Sequence, residues 1–322
     1  MTTTIATIKK PFNNIIGQES VKRKLNFYID GFKQTSMIPH FMFIAERGCG
    51  KTIFATSVAK QLSIDGTTKP ATEINCSTIK NLKQFCEQIL LTKVHGCDCT
   101  LLFDEASELP RDVTMALLTM LNPNSNNGNT FVYGDYTFNI DFKRHSFMFA
   151  TTEPQRIFHA LMSRCARIDF EPYSHGDLME IVELNVGKNS KIKFSDDGVV
   201  DEIPTVLRSN PREAQKMATD IVTYCAKSNT KVFTKSDWKS LLNSLGIYPM
   251  GLNATEIKVL KVLFNSGNIG IRLCDISAQT GFTSSSIQRD VETHLLRSNL
   301  ICIQSGRKLT KKGKEYLESV LV

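Results

Sequence analysis

The chain has 322 residues, enough for two or three domains with a core each. Apolar residues make up 41% and charged residues 22%, an ordinary globular balance, and no apolar run reaches the roughly 18 residues that cross a bilayer. The Thr-rich stretch Met1 to Ile8 has no apolar core of the export type, so the expected location is cytoplasmic. The nine cysteines are odd in number and scattered, and the nearest pair, Cys97 and Cys99, has no second pair at metal-ligand spacing. Reduced thiols are therefore expected rather than zinc or disulfides. The net charge of +7 permits nucleic-acid binding without requiring it.

From residue 15 to about 170, short apolar runs alternate with helical periodicity, which predicts βαβ units and a parallel sheet. His40 to Ala45 reads as a buried strand, Ile53 to Leu62 as a helix with Phe54, Val58 and Leu62 on one face, and Cys99 to Phe103 as a second strand. Asp112 to Leu121 reads as a helix and Ser146 to Ala150 as a third strand. Before that strand, a polar loop from Pro123 to Asn129 leads into Phe131 to Phe142, which alternates about Gly134-Asp135 and predicts an inserted β-hairpin. Helical patterns at Asp177 to Val186, Pro211 to Ala226 and Ser236 to Leu245 predict a small helical lid. Tyr248 to Gly251 reads as a linker to a last module. The expected domains are 1–172 with the hairpin around 129–143, 173–247 and 248–322.

The most informative motif is Ala45-Glu46-Arg47-Gly48-Cys49-Gly50-Lys51-Thr52 between a strand and a helix, a P-loop whose first glycine is alanine. Glycines at 48 and 50 let backbone N–H groups, including that of Cys49, close around phosphates, and the helix N-terminus adds a positive dipole end. Lys51 then reaches the β- and γ-phosphates of ATP and Thr52 holds Mg2+. About 50 residues on, the apolar strand Leu101-Leu102-Phe103 ends in Asp104, suited to the Mg2+ shell, and Glu105, suited to orienting the attacking water.

With these motifs in place the chain resembles the AAA+ ATPases, and among them the RuvB-type Holliday-junction branch-migration motors. The resemblance covers about residues 12–318. It runs through Ile15-Ile16-Gly17-Gln18-Glu19, Ala150-Thr151-Thr152, Leu161-Met162-Ser163-Arg164, Tyr173, Asn210-Pro211-Arg212-Glu213 and Gly251-Leu252-Asn253. The implied fold is α/β: a P-loop ATPase domain with helices on both faces of a parallel sheet, a helical lid and a C-terminal winged helix. The resemblance implies that Ile16, Ile53 and Tyr173 line the nucleotide and that Thr152 senses the γ-phosphate or the attacking water. It also implies that Arg164 reaches the ATP of a neighbouring copy and that Arg212 reads the γ-phosphate from the lid. The implied assembly is a homo-oligomeric ring, a hexamer, around double-stranded DNA or a four-way junction. Departures exist: Lys9-Lys10-Pro11 stands where the family has a different N-terminal segment, and Ser163-Arg164-Cys165 is the clamp-loader form of the arginine motif. A replication clamp loader and an ATP-responsive winged-helix regulator therefore stand as alternatives.

In the resembled family the hairpin docks the protein that holds the junction. Here Phe131, Val132, Tyr133, Tyr136 and Phe138 would supply its apolar groups. In the last module, helical patterns at Thr255 to Phe264, Leu273 to Thr280 and Ser284 to Leu296 have helix-turn-helix spacing. A hairpin of Asn299 to Ile303 and Arg307 to Leu309 about Ser305-Gly306 forms a wing. Arg307, Lys308, Lys311 and Lys312 are the candidate phosphate contacts, and the uncharged run from Ser284 argues against base-specific reading.

Overall fold

The computed structural model describes residues 11–122, 127–267 and 269–321. Lys9, Lys10 and the Pro123 to Asn126 part of the expected polar loop lie outside the described residues. The chain forms two compact units, one of Met1–Asp177 with Asn210–Arg212, the other of Leu178–Ser209 with Glu213–Val322. The lid and the terminal module, expected as separate domains, share the second unit.

In the first unit the chain runs through α1 (Glu19–Thr35), β1 (Phe41–Ile44), α2 (Lys51–Ala59), β2 (Ala71–Asn75) and α3 (Leu82–Phe85), whose axis continues as a wider turn through Cys86–Val94. There follow β3 (Cys99–Asp104), α4 (Arg111–Met120), β4 (Gly128–Tyr133), β5 (Tyr136–Asp141), β6 (His145–Thr151), α5 (His159–Met162) and β7 (Ala166–Asp169). Strands β2, β3, β6, β1 and β7 lie side by side in that order, every pair parallel. Central strands β3 and β6 are covered on both faces, which is why they read as unbroken apolar runs. The alternation of β1 divides the core. Phe41 and Phe43 join Leu25, Ile29, Phe54 and Val58 on one side of the sheet, whereas Met42 joins Phe103, Phe149, Leu117 and Met120 on the other.

The inserted hairpin pairs Phe131 with Phe138 and Tyr133 with Tyr136, closing on Gly134, whose φ of 56° suits the two-residue turn. Phe138 and Ile140 are 1% and 2% exposed and belong to the core. The expectation that Phe138 is available to a partner is thus corrected: its side of the pleat faces the ATPase domain. Val132 and Tyr136 point outward, 62% and 47% exposed. His145 anchors the hairpin's foot. Its Nδ1 accepts from the Asp141 amide (3.0 Å), which leaves Nε2 to donate to the Cys97 carbonyl (3.0 Å).

The second unit takes its helices from α6 (His175–Asn189) after Asp177, α7 (Val199–Glu202), α8 (Pro211–Ser228) after Arg212, and α9 (Lys235–Leu245). The last begins with a capping box of Thr234 and Asp237. The terminal module comprises α10 (Ala254–Asn265), α11 (Leu273–Thr280), α12 (Ser284–Ser286), a wide turn over Ile287–Glu292, α13 (Thr293–Arg297), the wing strands β8 (Ile301–Ile303) and β9 (Arg307–Leu309), and α14 (Lys311–Leu321). Leu260, Leu263, Ile276, Ile287, Leu295 and Leu317 form its core. A buried ion pair joins the lid to this module. Arg208 donates to Glu256 Oε1 (3.0 Å) and Oε2 (2.6 Å) and, through Nε, to Gly251 O (3.0 Å); Glu256 itself is 0% exposed.

Candidate nucleotide site

The P-loop leaves the end of β1 and enters α2. Gly48 and Gly50 both adopt φ 89°, a region closed to most side chains. Gly48 is also needed for space, because a Cβ there would sit 2.5 Å from Asn210 Oδ1 and 2.9 Å from the Arg212 Cβ. Lys51, in the first turn of α2, is buried and donates to the Ala45 and Glu46 carbonyls at 2.9 and 3.0 Å. Burial lowers its pKa and the facing Asp104 carboxylate works against that shift. A buried ammonium held by backbone carbonyls is a group prepared for a polyanion. Thr52 is half-buried beside it in the helix, and Ile53 is exposed.

Asp104 is the last residue of β3, paired across the sheet to Asn75, and its Oδ1 accepts from the Glu105 amide at 3.0 Å. That bond supports a left-handed Glu105 (φ 54°, ψ 48°), an uncommon conformation for glutamate that leaves its side chain exposed. At the end of β6 the two threonines separate. Thr151 is fully buried and its Oγ1 accepts from the Glu153 amide (3.0 Å), while Thr152 is exposed. The two neighbouring hydroxyls are therefore not equivalent, and only that of Thr152 faces solvent.

The remaining nucleotide candidates converge on the same loop. Asn210 donates to the Arg47 carbonyl (3.0 Å) and accepts from the Arg212 amide (2.9 Å), which holds the short segment Asn210–Arg212 of the first unit at the P-loop. Arg212 lies close enough to Lys51 to lower its pKa further. Tyr173 is buried and donates to the Cys49 carbonyl at 3.3 Å, and burial raises its phenol well above the usual range. Ile16 is half-buried ahead of two left-handed residues, Gly17 and Gln18. The Gln18 amide exchanges two hydrogen bonds with the Glu171 backbone, at 2.6 and 3.0 Å. Asn210 and Gln18 lie within the sequence motifs, but their bonds span 163 and 153 positions, so local pattern carries no sign of them.

Arg164 sits elsewhere on the domain, just past α5, donating to Ala160 O (2.7 Å) and Asn122 Oδ1 (3.1 Å). In the terminal module the four basic candidates also divide. Arg307 is bound to the buried Glu292 (2.6 and 3.3 Å), and that bond holds its guanidinium above the usual range. It is therefore a structural group rather than an open phosphate contact. Lys311 and Lys312 are exposed at the start of α14, Lys312 donating to Ser298 O (2.9 Å), and Lys308 is half-buried on β9.

Residues 41–173 match the family model for the ATPase family associated with various cellular activities (AAA), and residues 249–318 match the RuvB C-terminal winged helix domain. A relative from Wolbachia sp. subsp. Brugia malayi (strain TRS), the Holliday junction branch migration complex subunit RuvB, is 27% identical over 315 residues, covering 95% of this chain and 91% of its own length. The corresponding subunit of Campylobacter hominis is 25% identical, over 95% and 88%. The fold is shared with the Thermotoga maritima RuvB Holliday junction branch migration motor, with a TM-score of 0.77 at 19% identity over 96% of this chain and 97% of that one. The cradle around Lys51 and the two matched models make this chain a nucleotide-binding P-loop ATPase of the AAA class, ending in a winged helix. Within that class its terminal module is of the RuvB winged-helix type, and RuvB subunits are similar to it over nearly its whole length. Among the described residues no helix is long and apolar enough to cross a membrane.

Proposed function

We propose that the chain couples ATP hydrolysis to the movement of DNA at four-way junctions, as a branch-migration motor. The observation that carries this reading is that a single chain joins a built phosphate cradle to a winged helix of the RuvB type. The donor set fits Mg2+-bound ATP: a buried ammonium, an acid at a strand end, a threonine in the first helical turn and two left-handed glycines. Mg2+, when bound, neutralises charge on the phosphates. Thr52 and Asp104 are its protein ligands in this reading.

Gly48, Cys49 and Gly50 present backbone amides to the phosphates and Lys51 opposes their charge. Glu105, held at a strained bend, orients the attacking water, with Thr152 beside it. Arg164 points to a site on the next copy in a ring, a hexamer, and stabilises charge there in trans. Arg212 responds to the γ-phosphate at the head of α8. Lys308, Lys311 and Lys312 hold duplex phosphates without reading sequence, which a translocating motor requires. Val132 and Tyr136 form the exposed apolar tip that a junction-holding partner covers.

The test is the ATPase rate at fixed salt without DNA, with linear duplex, with primed DNA and with a synthetic four-way junction. Stimulation by duplex or junction is the expected result. Stimulation by primed DNA alone would favour a clamp loader, and binding without hydrolysis would favour a regulator.

A further inference from the structure

The proposed trans role of Arg164 needs a guanidinium held in one fixed orientation. Two carbonyl oxygens hold it so: Ala160 O on Nη1 (2.7 Å) and the Asn122 side-chain oxygen on Nη2 (3.1 Å). Its Nε is buried with no hydrogen-bond partner among the described residues. The Nη groups thus bear all of its hydrogen bonding, and each keeps a second proton for an incoming phosphate. Asn122 is in turn held by the hairpin. The Asn129 side-chain amide donates to Asn122 O (2.7 Å) and to Met120 O (3.0 Å), closing the C-terminal end of α4 onto the first residues of β4.

We propose that Asn122 is the positioning residue for Arg164 and that Asn129 ties that position to the hairpin. The inference rests on Arg164 acting in trans. It goes beyond that role in naming the contact that aims the finger and the route by which hairpin position reaches it. The Ala160 carbonyl alone cannot fix the guanidinium plane, because one bond to a flexible side chain leaves rotation about it free. The second bond, through Asn122, sets the plane.

The experiment is junction-stimulated ATP hydrolysis, kcat and KM measured separately, for wild type, Asn122→Ala, Asn122→Asp, Asn129→Ala and Arg164→Ala. Thermal melting and oligomer size are followed in parallel. Asn122→Ala should lower kcat about tenfold with KM for ATP unchanged, because a loosened Arg164 loses about one charged hydrogen bond's worth of contact with the transferring phosphate while ATP binding is untouched. Asn122→Asp keeps an oxygen acceptor for Nη2 and should stay within about twofold of wild type. Asn129→Ala should fall between them. If Arg164→Ala is dead but Asn122→Ala turns over at the wild-type rate, the positioning role is overturned while the finger survives. It is equally overturned if the Asp variant falls as far as the Ala variant, or if only KM changes. Wild-type turnover in Asn129→Ala would remove the hairpin from the route. Wild-type turnover in Arg164→Ala would overturn the finger reading itself.

Discussion

Replacing Arg208 with methionine should be among the most damaging single changes in the second unit, although Arg208 touches no proposed catalytic group. Glu256 is completely buried and receives two bonds from this guanidinium, at 3.0 and 2.6 Å. Among the described residues its other donor is the Asn253 amide (2.8 Å) in the capping box of α10. Removing the arginine leaves a buried carboxylate without a countercharge and strips two hydrogen bonds from it, a loss of about 3–5 kcal/mol. For a unit of this size that lowers Tm by about 10–17 °C. Glu256→Leu leaves the partly exposed guanidinium in reach of water and should cost less. The double variant Arg208→Met with Glu256→Leu should recover most of the loss, because an apolar pair in that space has no desolvation to offset. Thermal and urea melts of the full chain form the double-mutant cycle. A loss below about 1 kcal/mol for Arg208→Met, or a double variant as weak as the sum of the singles, would refute the reasoning.

His40 is buried against Phe142 and Phe147, and desolvation lowers its pKa to about 4. The unfolded chain takes up a proton near the ordinary histidine value and the folded chain does not. Stability therefore falls as pH drops from about 6.5 to about 4, by about 3 kcal/mol, then levels for this group; His40→Phe should flatten that part of a stability-against-pH curve. On the wing, the triple change of Lys308, Lys311 and Lys312 to glutamine should reduce the slope of log K against log salt for duplex DNA by about 2–3, measured by anisotropy titration. Arg307→Gln should instead destabilise the module, because it abandons Glu292 in the interior, and melting should show the difference.

The parts legible from sequence were those whose chemistry requires neighbours in the chain. The P-loop, the acids ending β3 and the hairpin about Gly134 could each be read because phosphate closure, a strand end and a two-residue turn are local demands. What was not legible pairs over distance. Asn210 reaches Arg47, Arg208 reaches Glu256 and Arg164 reaches Asn122 across 163, 48 and 42 positions. Charge counting read Arg307 as a phosphate contact since its Glu292 partner lies 15 residues away on another element. Phe138 was read as a surface group because pleat alternation predicts two faces without saying which is buried. The short strands β2 and β7 at the sheet edges were missed. Each has only one strand neighbour, and the mixed polarity of their side chains carries a weak periodic signal.

The central claim, an ATPase whose sites are shared between adjacent copies on DNA, is tested most directly by mixing two defective chains. Lys51→Ala removes the phosphate ligand and keeps the finger; Arg164→Ala does the reverse. Junction-stimulated hydrolysis should be absent from each alone and return in a 1:1 mixture, where about one interface in four combines an intact P-loop with an intact neighbouring arginine. A mixture as inactive as its components, or full activity of Arg164→Ala on its own, would contradict the account.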